Sequence, residues 1–502
     1  MLVFQRVLSS PWFKTLVFIA LCAVFIFMNL SSFSLRIWDE AHLVRNAIEM
    51  NESGNYLVTT FDHKPDFWSA KPPLMIWLQV ICLKFFGMSE LSFRLPSAFA
   101  AVATCLALMW FVAKTGGSYY KGLLAVFILL TSTGYNSFHG IRTGDYDSLL
   151  TLFSVLYVIC FYFYLTETTG YYLLLFFVFL TLAVLCKSIA GTLFLPSLLL
   201  YSVLKHRKAL LRIHHYWQFY AGLTFFVCFG LGFFLLREYM NPGYLKAAVS
   251  NDMIKAVIYR QEEEEVGFFY YLSGLFTGRY TEWIYFLLIS LVLGLSLKDK
   301  KERDSFVFFA WMLVPVLILL SVKQLKKEWY DLPLYPFFAL TICSFLWMLL
   351  EKLGRTEIKT VLRIPMLPLQ LVCCLLILLP PGIAMVNKVY IPDFIHHDHP
   401  ICDESNYMIL ALRGEKKIDH YKYLDREYDA DRWFYRRLLA DKGIHVSAGD
   451  TSRLEAGDIV MVRNSLLRRA LLRKYNLTPL DTFQNLYVYK VGVMLCVPGK
   501  PL

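Results

Sequence analysis

The chain has 502 residues, 57% of them hydrophobic and 17% aromatic, with only 18% charged. An ordinary soluble domain is less apolar and carries about 25% charged residues, so a water-soluble globular protein is excluded and an integral membrane protein is expected. The 50 Lys and Arg against 39 Asp and Glu give +11, but the basic residues cluster in short loops between apolar runs, as orientation signals do, which argues against a nucleic-acid partner.

A membrane-crossing helix needs about 20 apolar residues. Such runs lie near 15–33, 74–86, 94–113, 122–138, 148–165, 171–186, 189–204, 219–236, 281–297, 306–321, 333–350 and 364–386. The 74–86 run is short enough to be re-entrant or to merge with the next, so about eleven spans (about 10 to 13) are expected. The first run follows Arg6 and Lys14 with no small-residue cleavage site after it, and reads as a retained span. The loops KHRKALLR (205–212), KDKKER (298–303) and EKLGRTEIKTVLR (351–363) are dense in Lys and Arg and are expected in the cytoplasm. Counting outward puts the N-terminus inside. It puts 34–93, 138–147, 187–188, 237–280, 322–332 and everything after 387 outside.

The fold class expected is an all-α polytopic membrane domain over 1–386, whose first outer loop (34–93) carries interfacial helices, with a small extracytoplasmic α/β domain over 387–502. In that tail GDIVMV (457–462) and NLYVYKVGVML (485–495) alternate like strands. DADRWFYRRLLADKG (429–443) and SLLRRALLRKY (465–475) read as amphipathic helices, the first ending at Gly443. Of the 11 cysteines most lie in apolar runs, where cysteine acts as a small hydrophobe. Cys402 and Cys496 fall in the polar tail, where a disulfide and two free thiols are both consistent with the sequence.

Given this parity, the unusual polar residues fall on the outer side. Residues 38–77 hold Asp39 and Glu40 directly after one span and Lys71 directly before the next. Arg142, Asp145 and Asp147 follow in HGIRTGDYDSLL, Lys187 in LCKSIAG, Asp252 and Arg260 in SNDMIKAVIYR, and Lys323, Lys326, Lys327 and Tyr330 in SVKQLKKEWYDLPLYP. Ionisable residues at membrane depth are expensive and mark functional sites by default. Many cations and few carboxylates suit a sugar carried on a lipid phosphate. Lys and Arg would clamp the phosphate, phosphate leaves without a general acid, and one carboxylate would serve as base. A two-carboxylate glycosidase fits the inventory less well.

Plainer readings stand beside these. Asp39 could cap the helix AHLVRNAIEM. Neighbouring helical residues point about 100° apart, so Asp39 and Glu40 are expected to have different jobs, one facing the site and one orienting. Lys71 could snorkel, Lys326 and Lys327 read as solvated, and Arg142 and Asp145 could pair with each other. QEEEE (261–265) reads as a solvated face, HHDH (396–399) lacks metal-ligand spacing, and His42, His63 and His139 read as surface or interface residues. A lipid-linked sugar transporter or flippase would need the same cations, but the two related halves usual in transporters are absent. A non-catalytic scaffold for envelope assembly is the third reading.

WDEAHL, AKPPLMIWL, RTGDYDSLLTLF at 142–153, LCKSIAG at 185–191, ND at 251–252 before FFYYL, and K…YDLPLYP at 323–336 occur in the order found in a known family. Over about residues 10–350 the chain resembles the C-type-fold (GT-C) membrane glycosyltransferases, which include protein O-mannosyltransferases and aminoarabinose–lipid A transferases. The resemblance implies an undecaprenyl-type polyprenyl-phosphate sugar donor and a lipid, glycan or protein hydroxyl as acceptor. It implies transfer on the non-cytoplasmic side of a bacterial inner membrane. Asp39 would be the base with Glu40 catalytic or supporting it, and by motif position Lys71, Lys187 and Lys323 would bind the lipid phosphate. Arg142 and Arg260, cations of the same outer loops, are candidates for the phosphate beside them. Asp145, Asp252 and Tyr330 would support. The aminoarabinose transferases have a glutamate associated with a divalent metal just before the motif lysine; Ala70 stands there, so no metal is assigned. Ala256 stands near the place of an arginine expected after Asn-Asp, and EEEEVG replaces a Gly-His ahead of FFYYL, so lipid A aminoarabinosylation is not the expected reaction.

Overall fold

The computed structural model describes residues 10–254, 267–354, 366–390, 403–424 and 428–495. Arg260, Ala256, the QEEEE and HHDH segments, Cys402 and Cys496 lie outside the described residues. Among the described residues six helices are long and apolar enough to cross a membrane: Glu90–Lys114, Tyr146–Glu167, Tyr171–Thr192, Trp217–Met240, Lys300–Val322 and Glu328–Lys352. Shorter apolar helices lie at Pro11–Phe27, Leu74–Phe86, Tyr119–Leu130, Leu195–Lys205, Ile284–Ser296 and Val372–Lys388. Each of the twelve falls on one of the apolar runs, and the chain is an integral membrane protein with a helical body.

Burial sorts these helices. Tyr146–Glu167 is the central one, with 83% of its apolar window buried, whereas Trp217–Met240 has only 17% buried and presents its side chains outward, as a lipid-facing helix does. Leu74–Phe86 stays separate from Glu90–Lys114: Gly87 at φ 75° ends it, and Ser89 caps the next helix through the Ser92 amide. The run 122–138 is not one helix. It stops at Leu130, where Thr131 and Ser132 turn their hydroxyls back onto the carbonyls of Phe127 and Ile128. Residues 131–145 then form an irregular wall.

The bundle has two different poles. At one, Lys114 pairs with Glu167 at 3.2 Å, Lys121 pairs with Glu302 at 2.5 Å, and Tyr164 donates to the carbonyl of Ala209 in the basic 205–212 loop. The other pole gathers the opposite ends of the same helices, at Tyr146, Lys187 and Val322, with the 131–145 wall.

Residues 403–495 carry a five-stranded sheet with Asp403–Leu412, Ala430–Ala440 and Ser465–Lys474 as helices. Strand order is Val446–Ala448, Tyr421–Tyr423, Ile459–Val462, Leu486–Met494, Tyr475–Phe483, parallel across the first three and antiparallel thereafter. Tyr475–Phe483 tolerates Pro479 because it is an edge strand with an irregularity there. The Ala430–Ala440 helix lies against the first outer loop. Tyr435 accepts from the Leu35 amide at 2.8 Å and donates to Glu90 at 3.0 Å, Phe434 packs edge-on to Phe93, and Arg437 pairs with Glu52.

Candidate active site

The Asp39–Ser53 helix begins under strain. Trp38 is its N-cap, with φ 75° and ψ −111° and no capping side-chain bond, so Asp39 is the first helical residue rather than the cap. A non-glycine residue held there costs about 1–3 kcal/mol and persists only where its surroundings enforce it. The enforcing group is Tyr428, whose ring stacks on Trp38 at 4.7 Å and whose hydroxyl donates to the Trp38 carbonyl at 3.1 Å. The same hydroxyl lies 3.1 Å from His42 Nδ1, and His42 Nε2 reaches Asp66 at 2.5 Å.

Glu40 is turned the other way, into the protein. Fully buried and absent from the cavity wall, it accepts from Arg94 at 2.7 and 3.0 Å and from the amides of Arg36 and Gly144 at 2.8 Å each. Burial pushes its carboxyl up, but Arg94 outweighs that and holds it below the usual range. Glu40 therefore ties the Asp39 helix to the 131–145 wall.

Asp39 faces a cavity of about 2020 Å³ whose wall also holds Lys71, Lys187, Lys323 and Tyr330. Lys71 lies 5.2 Å from the Tyr146 ring. Lys187 closes its helix, is followed by Ser188 at φ 50°, and pairs with Asp147 at 2.5 Å. Lys323 ends the Lys300–Val322 helix. Tyr330 lies between two of these cations, its ring 4.5 Å from Lys323 Nζ and 5.4 Å from Lys187 Nζ. Lysines at helix C-termini also meet the negative end of the helix dipole. Burial raises the Asp39 carboxyl; Lys71, His139, Lys187 and His42 together outweigh it and keep it below the ordinary aspartate value. Asp145, buried beside Glu40 and Asp39, is pushed well above that value.

Arg142 is buried outside the cavity wall, and its guanidinium donates to the carbonyls of Ile26 and Met28 at 3.1 and 2.9 Å, bracing the first helix. Asp145 accepts from Thr143 at 2.5 Å and lies 3.4 Å from His139. Asp252 falls in the Val249–Ile254 turn; its neighbour Asn251 lines the cavity and donates to the Phe67 and Trp68 carbonyls. Among the cavity residues given no site role from the sequence are His139, which read as a surface or interface residue, Trp329 stacked on it, Arg279 paired with Asp331 at 2.7 Å, and Lys388. His139 stood inside a quoted motif; Arg279 and Lys388 had no charge pattern around them to mark them.

Ala70 offers no ligand. It is buried in a small apolar cluster with Phe233, Tyr244 and Ala248, and its carbonyl accepts from Tyr244 at 2.9 Å. Among the described residues no group of three or more His, Cys, Asp or Glu is placed to hold a metal ion. The residues present do not fit the glutamate-linked metal of the aminoarabinose transferases.

Residues 70–231 match the model of the dolichyl-phosphate-mannose-protein mannosyltransferase family, a stretch that includes Lys71, His139, Asp145 and Lys187 and leaves out Asp39 and Lys323. The backbone is similar to ArnT from Cupriavidus metallidurans bound to undecaprenyl phosphate, with TM-score 0.68 at 13% identity over 96% of this chain and 98% of that one. This is a GT-C fold. The apo state of the same ArnT gives TM-score 0.66 at 14% identity, over 95% and 97% of the two chains. An uncharacterized protein of Aquifex aeolicus (strain VF5) is 26% identical over 326 residues; the match spans 64% of this chain and 61% of that protein. At such identities the GT-C likeness covers the path of the backbone and does not extend to the sugar or the acceptor.

Proposed function

We propose that the protein is a glycosyltransferase that moves a sugar from an undecaprenyl-type polyprenyl-phosphate donor to a hydroxyl of a lipid, glycan or protein acceptor on the extracytoplasmic side of a bacterial inner membrane. The observation that carries this reading is one cavity whose wall holds the carboxylate of Asp39 together with the lysines Lys71, Lys187 and Lys323, drawn from three separate segments. A transporter needs cations for a lipid phosphate. It does not need a carboxylate presented by a strained backbone and held ionised by those cations.

In this scheme Asp39 takes the proton of the acceptor hydroxyl, whose oxygen attacks the anomeric carbon from the face opposite phosphate. The bond to the phosphate oxygen breaks, its electron pair leaves on the lipid phosphate, and the sugar inverts. Lys71, Lys187 and Lys323 meet the charge that grows on phosphate; removing one such group typically costs about 10²–10³ in rate. The ArnT structure described above holds undecaprenyl phosphate, which supports a lipid-phosphate donor here. The side assignment rests on the basic loops, of which 205–212 and 298–303 lie at the pole opposite the cavity.

The test is transfer by the purified full chain from undecaprenyl phosphate carrying labelled mannose, glucose or arabinose into an envelope extract. Free lipid phosphate appearing together with a glycosylated, anomerically inverted product supports the reading. Movement of intact donor across a vesicle with no bond broken would replace it with the transporter.

A further inference from the structure

Beside Asp39 lies a group to which that scheme gives no task. His139 rests flat on Trp329, ring centroids 3.5 Å apart and planes 9° apart. Its Nδ1 faces two carboxylates, Asp145 Oδ2 at 3.4 Å and Asp39 Oδ2 at 3.9 Å. That nitrogen is shut off from solvent and has no hydrogen-bond partner, and Asp145 Oδ1 next to it is equally buried and unsatisfied. Buried polar atoms without partners are costly and native structures carry few of them, so two side by side call for an explanation.

The backbone is built to keep the ring there. His139 has φ 59°, a conformation that a bulky side chain rarely adopts. Its amide donates to Thr143 Oγ1 at 2.9 Å, and that hydroxyl donates to Asp145 at 2.5 Å. One threonine thus fixes both the histidine and the second carboxylate against Asp39.

We propose that His139 is a proton relay acting through Asp39, accepting at Nδ1 the proton that Asp39 has taken from the acceptor hydroxyl. The inference rests on the glycosyl-transfer reading. In the transfer step the acceptor O–H breaks, the new glycosidic C–O bond forms, and the old C–O electron pair departs on phosphate, leaving the proton on Asp39. Passing it to Nδ1 regenerates the carboxylate, and the imidazolium then gives up the proton on its other nitrogen, Nε2, to cavity water, from which the ring returns to its resting Nε2–H tautomer. Catalytic hydrogen bonds are often long before substrate arrives, so 3.9 Å is a reasonable resting separation.

The surroundings suit both states of the ring. Burial holds the resting imidazole neutral, with Lys187 adding to that effect and Asp39, Asp147 and Glu40 opposing it. Once protonated, the ring lies on the indole face of Trp329, which attracts a cation, between Asp145 and the regenerated Asp39 carboxylate.

The experiment uses the full chain in lipid nanodiscs and the same three undecaprenyl-phosphate sugars. H139A and H139Q are compared with wild type for kcat, donor KM and the pH dependence of kcat, with and without added imidazole. The expected result is a drop in kcat of about 10- to 100-fold with donor KM within about twofold, inside the usual range for a proton-transfer group. Free imidazole then restores H139A in proportion to its unprotonated fraction and leaves wild type unchanged. Unaltered kcat in both variants, or a loss that imidazole does not restore, overturns the relay while wild-type transfer keeps the enzyme reading. A wild type that transfers none of the three sugars removes both.

Discussion

At the scale of single residues, Asp39 and Glu40 show how one helical step separates two jobs. A rotation of about 100° takes one carboxylate into the cavity and the other into the protein. That division was readable from their adjacency in a helix, but which residue faced which way was not, because it depends on Arg94, some fifty residues on, completing the buried pair. Breaking a buried ion pair from one side costs about 3–5 kcal/mol. E40Q and R94M are therefore each expected to lower the melting temperature sharply, and the double variant is expected to cost less than the sum; additive losses would mean the pair is not a unit. Asp39 behaves differently. Its carboxyl is below the ordinary aspartate value, so it is ionised above that folded pKa and protonated only as pH falls through it. The acid limb of kcat is expected below the usual aspartate range of about 3.9. K71M removes the leading opposing charge, leaves burial less opposed, and should move that limb to higher pH; an unmoved limb would take Lys71 out of the field at Asp39.

At the scale of elements, the Ala430–Ala440 helix and the Tyr428 that precedes it join the tail to the cavity. Amphipathic pattern alone marked that helix, and Gly443 at φ 74° lies just past it. Its docking surface was not readable, because the contacts run from Tyr428, Phe434 and Tyr435 to Trp38, Phe93 and Leu35, hundreds of residues away. Tyr428 holds the strained Trp38 that presents Asp39. Y428F keeps the stacked ring and is expected to retain most transfer, whereas Y428A should lose about tenfold or more in kcat as Trp38 relaxes, in line with strain of about 1–3 kcal/mol. Equal activity in both would separate the tail from the chemistry. The edge strand Tyr475–Phe483 escaped the sequence pattern because Pro479 interrupts its alternation, and the 122–138 run read as one helix because Thr and Ser are apolar enough to continue a hydropathy run while their hydroxyls end the helix.

At the scale of the molecule, hydropathy located every apolar helix among the described residues but misjudged their ends, since run length reports composition and not where backbone bonds stop. The polar cluster was legible because charge at membrane depth is rare; the carbonyl contacts of Arg142 were not, because a buried arginine bracing carbonyls looks, in sequence, like one awaiting a phosphate. The orientation is a proposal that labelling can check. Single cysteines placed at Lys208 and at Asn55 are expected to react with a membrane-impermeant thiol reagent from opposite sides, Lys208 only after the inner face is opened. Labelling of both from one side would reverse or break the topology. In the proposed reaction everything turns on Asp39 acting on a donor that the lysines hold. The most direct measurement is D39N assayed in parallel for binding of undecaprenyl phosphate and for sugar transfer: binding within about twofold of wild type with transfer reduced at least about 10²-fold is predicted, and near-normal transfer by D39N would contradict it.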